Sequence, residues 1–378
     1  MIDIKKIHPG INYFDKLSAY SGNGYINIAN TSLQPDAKII SALAKSFKSG
    51  LNLYTGLDGY LPLRQIITSL IEKNYTYSFN PETEITITAG ASQAIAIAIS
   101  AFIKEGDEAI IFEPSYYTYG SLVQANGGRP LYIRLKQPDF HIDWDEVQKG
   151  INSRTKLILI NSPHNPSGSI LSAHDMERLS RIVNGTNIIV VSDESFENII
   201  FDNYEHQSVA RFPKLAERSL IISSFGKSLH TEGWKLGYCA APAKISADFR
   251  KFHHFMSFSV NAPMQTAIYD ILSQPELIQN ISAQLQAKRD LLLNGLKKSR
   301  FRITPSHGTY YQLLNYCEIS NVKDMEFAQE LLDKHKLVVF PLSYFYHDLA
   351  DLKFIRICFA QPDDLLKKAI EILNLQSS

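Results

Sequence analysis

Between residues 85 and 240 the chain repeatedly sets a short run of apolar, β-branched residues beside a segment of helical period. That alternation restricts the fold more than any other feature of the sequence. The predicted strands are Ile85–Thr88, Ala109–Phe112, Leu131–Arg134, Lys156–Ile160, Asn187–Ser192, Ser219–Ser224 and Leu236–Ala240, with amphipathic stretches such as Gln93–Ile103 and Ala173–Val183 between them. Strands that are apolar throughout need cover on both faces, so the pattern predicts an α/β fold around a largely parallel sheet. Ligands of such sheets gather at the carboxyl ends of the strands. After Ala241 the pattern changes. Predicted helices at Ser246–Phe258 and Pro275–Ser299 lead to short strands at Tyr310–Asn315, Leu337–Phe340 and Phe354–Cys358 and a last helix, an α+β arrangement.

A chain of 378 residues exceeds one comfortable core, which predicts two domains. Lys plus Arg and Asp plus Glu are both 38, so no field of one sign points to nucleic acid or to an acidic membrane surface. Cys239, Cys317 and Cys358 are scattered, flanked by apolar or aromatic residues and without metal-site spacing. They read as buried, reduced thiols of a cytoplasmic protein. Met1-Ile2-Asp3-Ile4-Lys5-Lys6 carries no signal-peptide core, and the apolar run Ala94–Ile103 is too short to span a bilayer.

Polar residues stand where predicted strands end. Asp193 closes Ile188-Ile189-Val190-Val191-Ser192, Asn165 lies in the turn Asn161–Gly168 behind Leu157–Ile160, and Lys227 follows Leu220–Ile222 on a Ser/Gly turn. Singly, each has an ordinary use: a helix cap for Asp193, turn chemistry for Asn165, a surface position for Lys227. Together they offer a carboxylate, an amide and an amine to one crevice, and a lysine amine can attack a carbonyl carbon. Thr88-Ala89-Gly90-Ala91-Ser92-Gln93 joins a strand to a helix through small residues, and its free N–H groups suit a phosphate. Arg356 is a charge inside the apolar strand Phe354–Phe359. An internal ion pair and a bound carboxylate explain it equally well. The chain contains no GxxxxGK[ST], GxGxxG after a strand, HExxH or GxSxG, so the usual ATPase, dinucleotide, zincin and serine-hydrolase signatures are missing.

Ser224-Phe225-Gly226-Lys227 followed by Gly233-Trp234-Lys235-Leu236-Gly237-Tyr238 resembles the lysine signature of class I/II aminotransferases, fold-type I enzymes dependent on pyridoxal 5′-phosphate. The resemblance runs from about Asn27 to the C-terminus and takes in Asn52-Leu53-Tyr54, Gly59–Arg64, Asn161–Gly168, Ser192-Asp193-Glu194 and Ile355-Arg356-Ile357. Ser223–Tyr238 and Phe258-Ser259-Val260-Asn261 are most similar to the methionine and kynurenine (glutamine-type) branch. It implies a mainly parallel seven-stranded sheet in a large domain at 46–272. The smaller α+β domain would combine 1–45 with 273–378.

The resemblance also implies roles. Lys227 holds the cofactor as a Schiff base and, once freed, moves the proton of the substrate α-carbon. Asp193 keeps the pyridine nitrogen protonated, and Asn165 bonds the ring hydroxyl and supports the substrate carboxylate. Ala91 and Ser92 offer N–H groups to the phosphate, with Ser224 and Lys235 adding a hydroxyl and a cation. Tyr116 stacks on the ring, and Arg356 grips the substrate α-carboxylate. Tyr54 reaches the phosphate of a neighbouring subunit, which implies a homodimer with shared sites. No metal is implied.

Two positions depart from the family pattern. Phe196 stands where the family carries a tyrosine that donates to the cofactor oxygen, so the Schiff base should titrate at higher pH than in tyrosine-bearing relatives. The stretch Ala29–Pro35 lacks the family's glycine and is shorter, which bears on specificity. Aromatic clusters at Tyr310-Tyr311 and Phe340–Tyr346, without a clearly placed second arginine, favour methionine, phenylalanine, tyrosine or kynurenine over aspartate. The rival readings are β-elimination from cysteine conjugates on the same scaffold and a non-catalytic, cofactor-binding protein.

Overall fold

The computed structural model describes residues 17, 20, 24–48, 52–274 and 281–376. Its twelve strands are β1 (Ile26–Asn27), β2 (Ile85–Thr88), β3 (Glu108–Glu113), β4 (Arg129–Arg134), β5 (Thr155–Asn161), β6 (Ile189–Asp193), β7 (Ser219–Ser224), β8 (Gly237–Ala240), β9 (Tyr311–Asn315), β10 (Leu337–Val338), β11 (Phe340–Pro341) and β12 (Phe354–Cys358). A seven-stranded sheet runs in the order β2-β8-β7-β6-β5-β3-β4, parallel except for β8, which is antiparallel to both β7 and β2. The fold is an α/β architecture with a central, mostly parallel sheet, as the apolar strands predict.

The reason lies in the side-chain alternation of the strands. Ile110, Ile158, Val190 and Ile221 are buried in one apolar cluster, while Ala109, Ile111, Leu157, Leu159, Val191 and Leu220 are buried in another. Successive residues point to opposite faces, so both faces are dry and no polar alternation appears. Each fully buried Ile, Leu or Val contributes roughly 1.5–3 kcal/mol. The first cluster is covered by helices such as Leu61–Tyr75, the second by Gly90–Phe102.

Register then fixes the site. Asn161 of β5 is level with Asp193 of β6, and Asp193 with Ile222 of β7. Thr88 and Ser224 both lie level with Gly237, the first residue of the reversed strand β8. Four strand ends and one strand beginning therefore meet at one edge.

The C-terminal part builds a three-stranded antiparallel sheet, β11-β12-β9, and β10 pairs in parallel with β1. The predicted strand Leu337–Phe340 is accordingly two strands: Leu337 bonds into register with Ile26, whereas Phe340 is level with Arg356. The predicted helix at Pro275–Ser299 is observed as Ile281–Gly295; residues 275–280 lie outside the described residues. Ala262–Leu272 is a further helix, separated from Ala243–Ser257 by Phe258 at φ 58 and capped by Asn261 Oδ1, which accepts from Met264 N at 3.0 Å. Cys239 and Cys358 are buried, but Cys317 is exposed beyond the end of β9, where the apolar flank Tyr316 alone turns inward. Among the described residues no helix is long and apolar enough to cross a membrane.

Candidate active site

At the edge where the strands end lies a cavity of ≈ 240 Å³ bounded by Lys227, Asp193, Asn165, Ser92, Lys235 and Arg356. Asp193 is buried and fully engaged. Its Oδ2 accepts from Tyr119 Oη at 2.5 Å, and its Oδ1 accepts from Ser195 N at 3.1 Å and Ser195 Oγ at 2.5 Å. Burial raises its pKa, and the Ser195 and Tyr119 hydroxyls oppose that rise. Beside it, Asn161 donates to the Asp193 carbonyl at 2.8 Å and accepts from the Asn165 N–H at 2.8 Å, so the strand-end asparagine holds the loop asparagine in place.

Arg356 comes from the middle of β12 and is 1% exposed. Its Nη1 donates to Asn165 Oδ1 at 2.9 Å and its Nη2 to the Ala29 carbonyl at 3.0 Å, while Nε has no partner. The guanidinium lies 3.7 Å from the Tyr311 ring centroid and 4.9 Å from those of Phe340 and Phe345. Among the described residues no carboxylate pairs with it. A buried cation held by two neutral acceptors and aromatic faces is short of an anion. Of the two explanations open for Arg356, the internal ion pair is therefore absent.

The helix Gly90–Phe102 presents its N-terminus to the same cavity, and Ala89 gives it no side-chain cap. Gly90 sits at φ +77, where a Cβ would come within 3.5 Å of Lys235 Nζ. Lys235 Nζ reaches Ser92 Oγ at 3.5 Å, and Ser224 borders the cavity. Free N–H groups, two hydroxyls and an ammonium form an anion cradle. Gly237 makes it possible: a Cβ there would lie 2.4 Å from the Ser223 carbonyl oxygen and 3.0 Å from Ala91 N. A carboxylate for a ring nitrogen, a phosphate cradle and a lysine between them fit pyridoxal phosphate.

Lys227 occupies the short helix Phe225–Leu229 that continues β7. Nζ donates to Tyr310 Oη at 2.8 Å and stands 5.3 Å from the Phe196 ring centroid. Burial lowers its pKa and Lys235 acts in the same direction, against Glu232, Cys358 and Asp193. Tyr116 borders the cavity with its ring centroid 5.8 Å from that of Tyr119. Tyr54 is the predicted site residue that lies apart: it is 81% exposed and packs edge-on against Phe258.

Tyr119, Ser195 and Glu232 were not legible as site residues. Tyr119 lies three residues beyond Tyr116, and only folding turns its hydroxyl to Asp193. The glycine-free stretch does reach the site, since the Ala29 carbonyl holds Arg356 and Asn30 borders the cavity. Among the described residues, Glu194, Glu197 and His206 form the one group of candidate metal ligands, and it is used internally. His206 Nε2 bonds Glu194 at 2.7 Å, and Glu197 accepts from Tyr75, Ser223 and Tyr238.

A family model, aminotransferase class I and II, matches residues 26–373. The methionine aminotransferase of Escherichia coli is 41% identical over 333 residues, covering 88% of this chain and 86% of the relative. A crystal structure from Escherichia coli, named for a methionine aminotransferase function, superposes with a TM-score of 0.92 at 38% identity, covering 96% of this chain and 97% of the other. That of an N-succinyldiaminopimelate aminotransferase from Mycobacterium tuberculosis also gives 0.92, at 30% identity and the same coverage. A kynurenine–oxoglutarate transaminase of Dictyostelium discoideum is 29% identical, covering 92% of this chain and 88% of the relative.

Proposed function

The chain belongs to the class I and II aminotransferases, enzymes dependent on pyridoxal phosphate; on that premise we propose that it moves the amino group of a sulfur-containing or aromatic amino acid to a 2-oxo acid. The observation that carries this reading is Arg356, a buried guanidinium without a carboxylate partner and walled by Tyr311, Phe340 and Phe345. It suits an α-carboxylate under an apolar side chain. Among the described residues Arg356 is the single arginine bordering the cavity, and the Glu232 carboxylate on its wall repels a second substrate carboxylate. The methionine and kynurenine relatives support the same choice.

When bound, pyridoxal phosphate supplies a carbonyl carbon for amine exchange and a ring that takes up the electron pair left at the substrate α-carbon. Lys227, Asp193, Asn165, Tyr116, Ala91, Ser92, Ser224 and Lys235 would hold it. Asp193 keeps a proton on the ring nitrogen, and Arg356 with Asn165 orients the substrate carboxylate. Lys227 Nζ, as the free amine, takes the α-carbon proton. Tyr54 would act in a homodimer, on the phosphate of a neighbouring subunit. We also assign the protein to the cytoplasm and to a large domain at 46–272 with a smaller one from 1–45 and 273–378.

The test is an absorbance screen of the holoenzyme against the common amino acids, with the 2-oxo acid product identified. Conversion of methionine, phenylalanine, tyrosine or kynurenine supports the reading. Conversion of dicarboxylic amino acids alone, or of none, rejects it. Release of pyruvate and ammonia from cysteine conjugates in place of methionine transamination would identify the β-lyase.

A further inference from the structure

Lys227 is not isolated in its cavity. Its Nζ donates to Tyr310 Oη at 2.8 Å, and Tyr310 Oη donates to Glu232 Oε1 at 3.0 Å. The direction of this chain of hydrogen bonds follows from the groups. An ammonium has no acceptor, so the tyrosine oxygen must accept from Lys227, and its own proton is left to the carboxylate. Tyr310 is 1% exposed and wedged edge-on against Phe196, with ring centroids 5.0 Å apart, which holds its ring in place between Lys227 and Glu232. Glu232 begins a one-turn helix directly after the lysine helix. Gly226 lets it come close, because a Cβ at 226 would lie 2.9 Å from the Glu232 Cα.

Glu232 also lies, as Lys227 itself does, between two cavities. It borders the cavity of Lys227 and a second one of ≈ 580 Å³, which runs past Gln34, His230 and Trp234.

We propose that Glu232 is a positioning residue for Lys227: through Tyr310 it holds the amine in place and receives its proton. The step balances. Lys227 gives one proton from Nζ to Tyr310 Oη while Tyr310 passes its own to the Glu232 carboxylate, leaving a neutral amine, a neutral phenol and a neutral acid. The amine then has the lone pair that attack on a carbonyl carbon and removal of an α-carbon proton both require. Other charged or titratable groups face this path. Asp193, Lys235 and Cys358 act on Lys227, Tyr311 and Cys358 act on Tyr310, and His230 feels the Glu232 charge. Of these, none is hydrogen-bonded to Lys227 Nζ as Tyr310 is.

The inference rests on Lys227 being the reactive amine. Borohydride reduction of the holoenzyme with peptide mapping tests that premise separately: a cofactor fixed on another residue strikes the premise, whatever Glu232 does. The pair itself is tested by competitive acetylation of the full chain, freed of cofactor, across pH, with Lys227 and Lys235 followed by mass spectrometry. Glu232→Gln keeps the shape but removes the charge, and should lower the Lys227 midpoint by about one pH unit, a ten-fold change in its acid constant. Tyr310→Phe should move it the same way. In the double variant the shift should fall short of the sum of the two single shifts, because Glu232 acts in part through the phenol. Lys235 serves as the control and should keep its profile. An unchanged Lys227 midpoint in Glu232→Gln, or single shifts that simply add in the double variant, overturns the proposal. If Tyr310→Phe does not fold, the Glu232→Gln midpoint decides alone.

Discussion

Arg356 carries two demands at once: as a buried cation it needs neutralising, and in the proposed role of carboxylate anchor it must leave its charge uncommitted. Asn165, the Ala29 carbonyl and the Tyr311 ring meet both, because they orient the guanidinium without cancelling it. Arg356→Lys keeps the charge but loses the planar fork and the stacking. KM for every amino acid substrate should rise 10- to 100-fold, roughly 1.4–2.8 kcal/mol of lost binding. Steady-state kinetics check this, and an unchanged KM would place the substrate carboxylate elsewhere. Phe196 poses the second question at this scale. Its ring lies beside Lys227, and the phenol packed against it, Tyr310, is already bonded to Lys227 and Glu232. Phe196→Tyr adds a donor that favours the anionic form of a cofactor oxygen, so the visible band of the bound cofactor should titrate at lower pH, by about one unit. A midpoint that is unchanged or higher in the tyrosine variant contradicts it. Asp193 and Arg356 were legible as candidates because each ends or interrupts an apolar run, and Asn165 and Lys227 because each lies in a turn just behind one. Tyr119, Ser195 and Glu232 were not, since a tyrosine, a serine or a glutamate outside any motif is ordinary until a partner is placed against it.

Among elements, the reversed strand β8 does most to build the site. It starts at Gly237, level with Thr88 and Ser224, and so brings Lys235 to the helix beginning at Gly90. Gly237→Ala should push β8 away from both the Ser223 carbonyl and Ala91 N, because a Cβ at 2.4 Å from backbone cannot be relieved by a rotamer. Cofactor affinity is expected to fall at least about ten-fold, equivalent to ~1.4 kcal/mol, measured by absorbance titration of the cofactor-free chain. Glu197 ties the sheet together from below. It accepts from Tyr75 at 2.9 Å, Ser223 at 2.5 Å and Tyr238 at 3.3 Å, linking the helix Leu61–Tyr75 to β7 and β8. Glu197→Ala leaves these hydroxyls without their acceptor and should cost about 3 kcal/mol in a urea titration. A loss below about 1 kcal/mol would mean that the network does not hold the strands. The strands of the large sheet were read to within two residues because β-branched apolar runs are short and bounded. Leu337–Phe340 was read as one strand, since apolar composition does not reveal that Leu337 and Phe340 bond to different neighbours.

At the scale of the whole molecule, the proposed homodimer has a surface to test. Leu53, Tyr54 and Phe255 are 82%, 81% and 86% exposed, and Tyr54 packs on Phe258, so large apolar side chains are gathered on the surface around the residue proposed to act on a neighbouring site. Phe255→Asp should convert a dimer to monomers in light scattering and remove activity with it. A variant that remains dimeric places the interface on another face. The sequence by itself determined the fold class and the cofactor and proposed the residues that would hold it, because a parallel sheet imposes its hydrophobic period and the lysine signature is local. Only the tertiary structure decided which groups share a hydrogen bond across 74, 83 or 191 positions of chain: Tyr119 with Asp193, Lys227 with Tyr310, Arg356 with Asn165. Such contacts follow from strand register and from the packing of the C-terminal sheet, and neither leaves a period or a motif in the sequence.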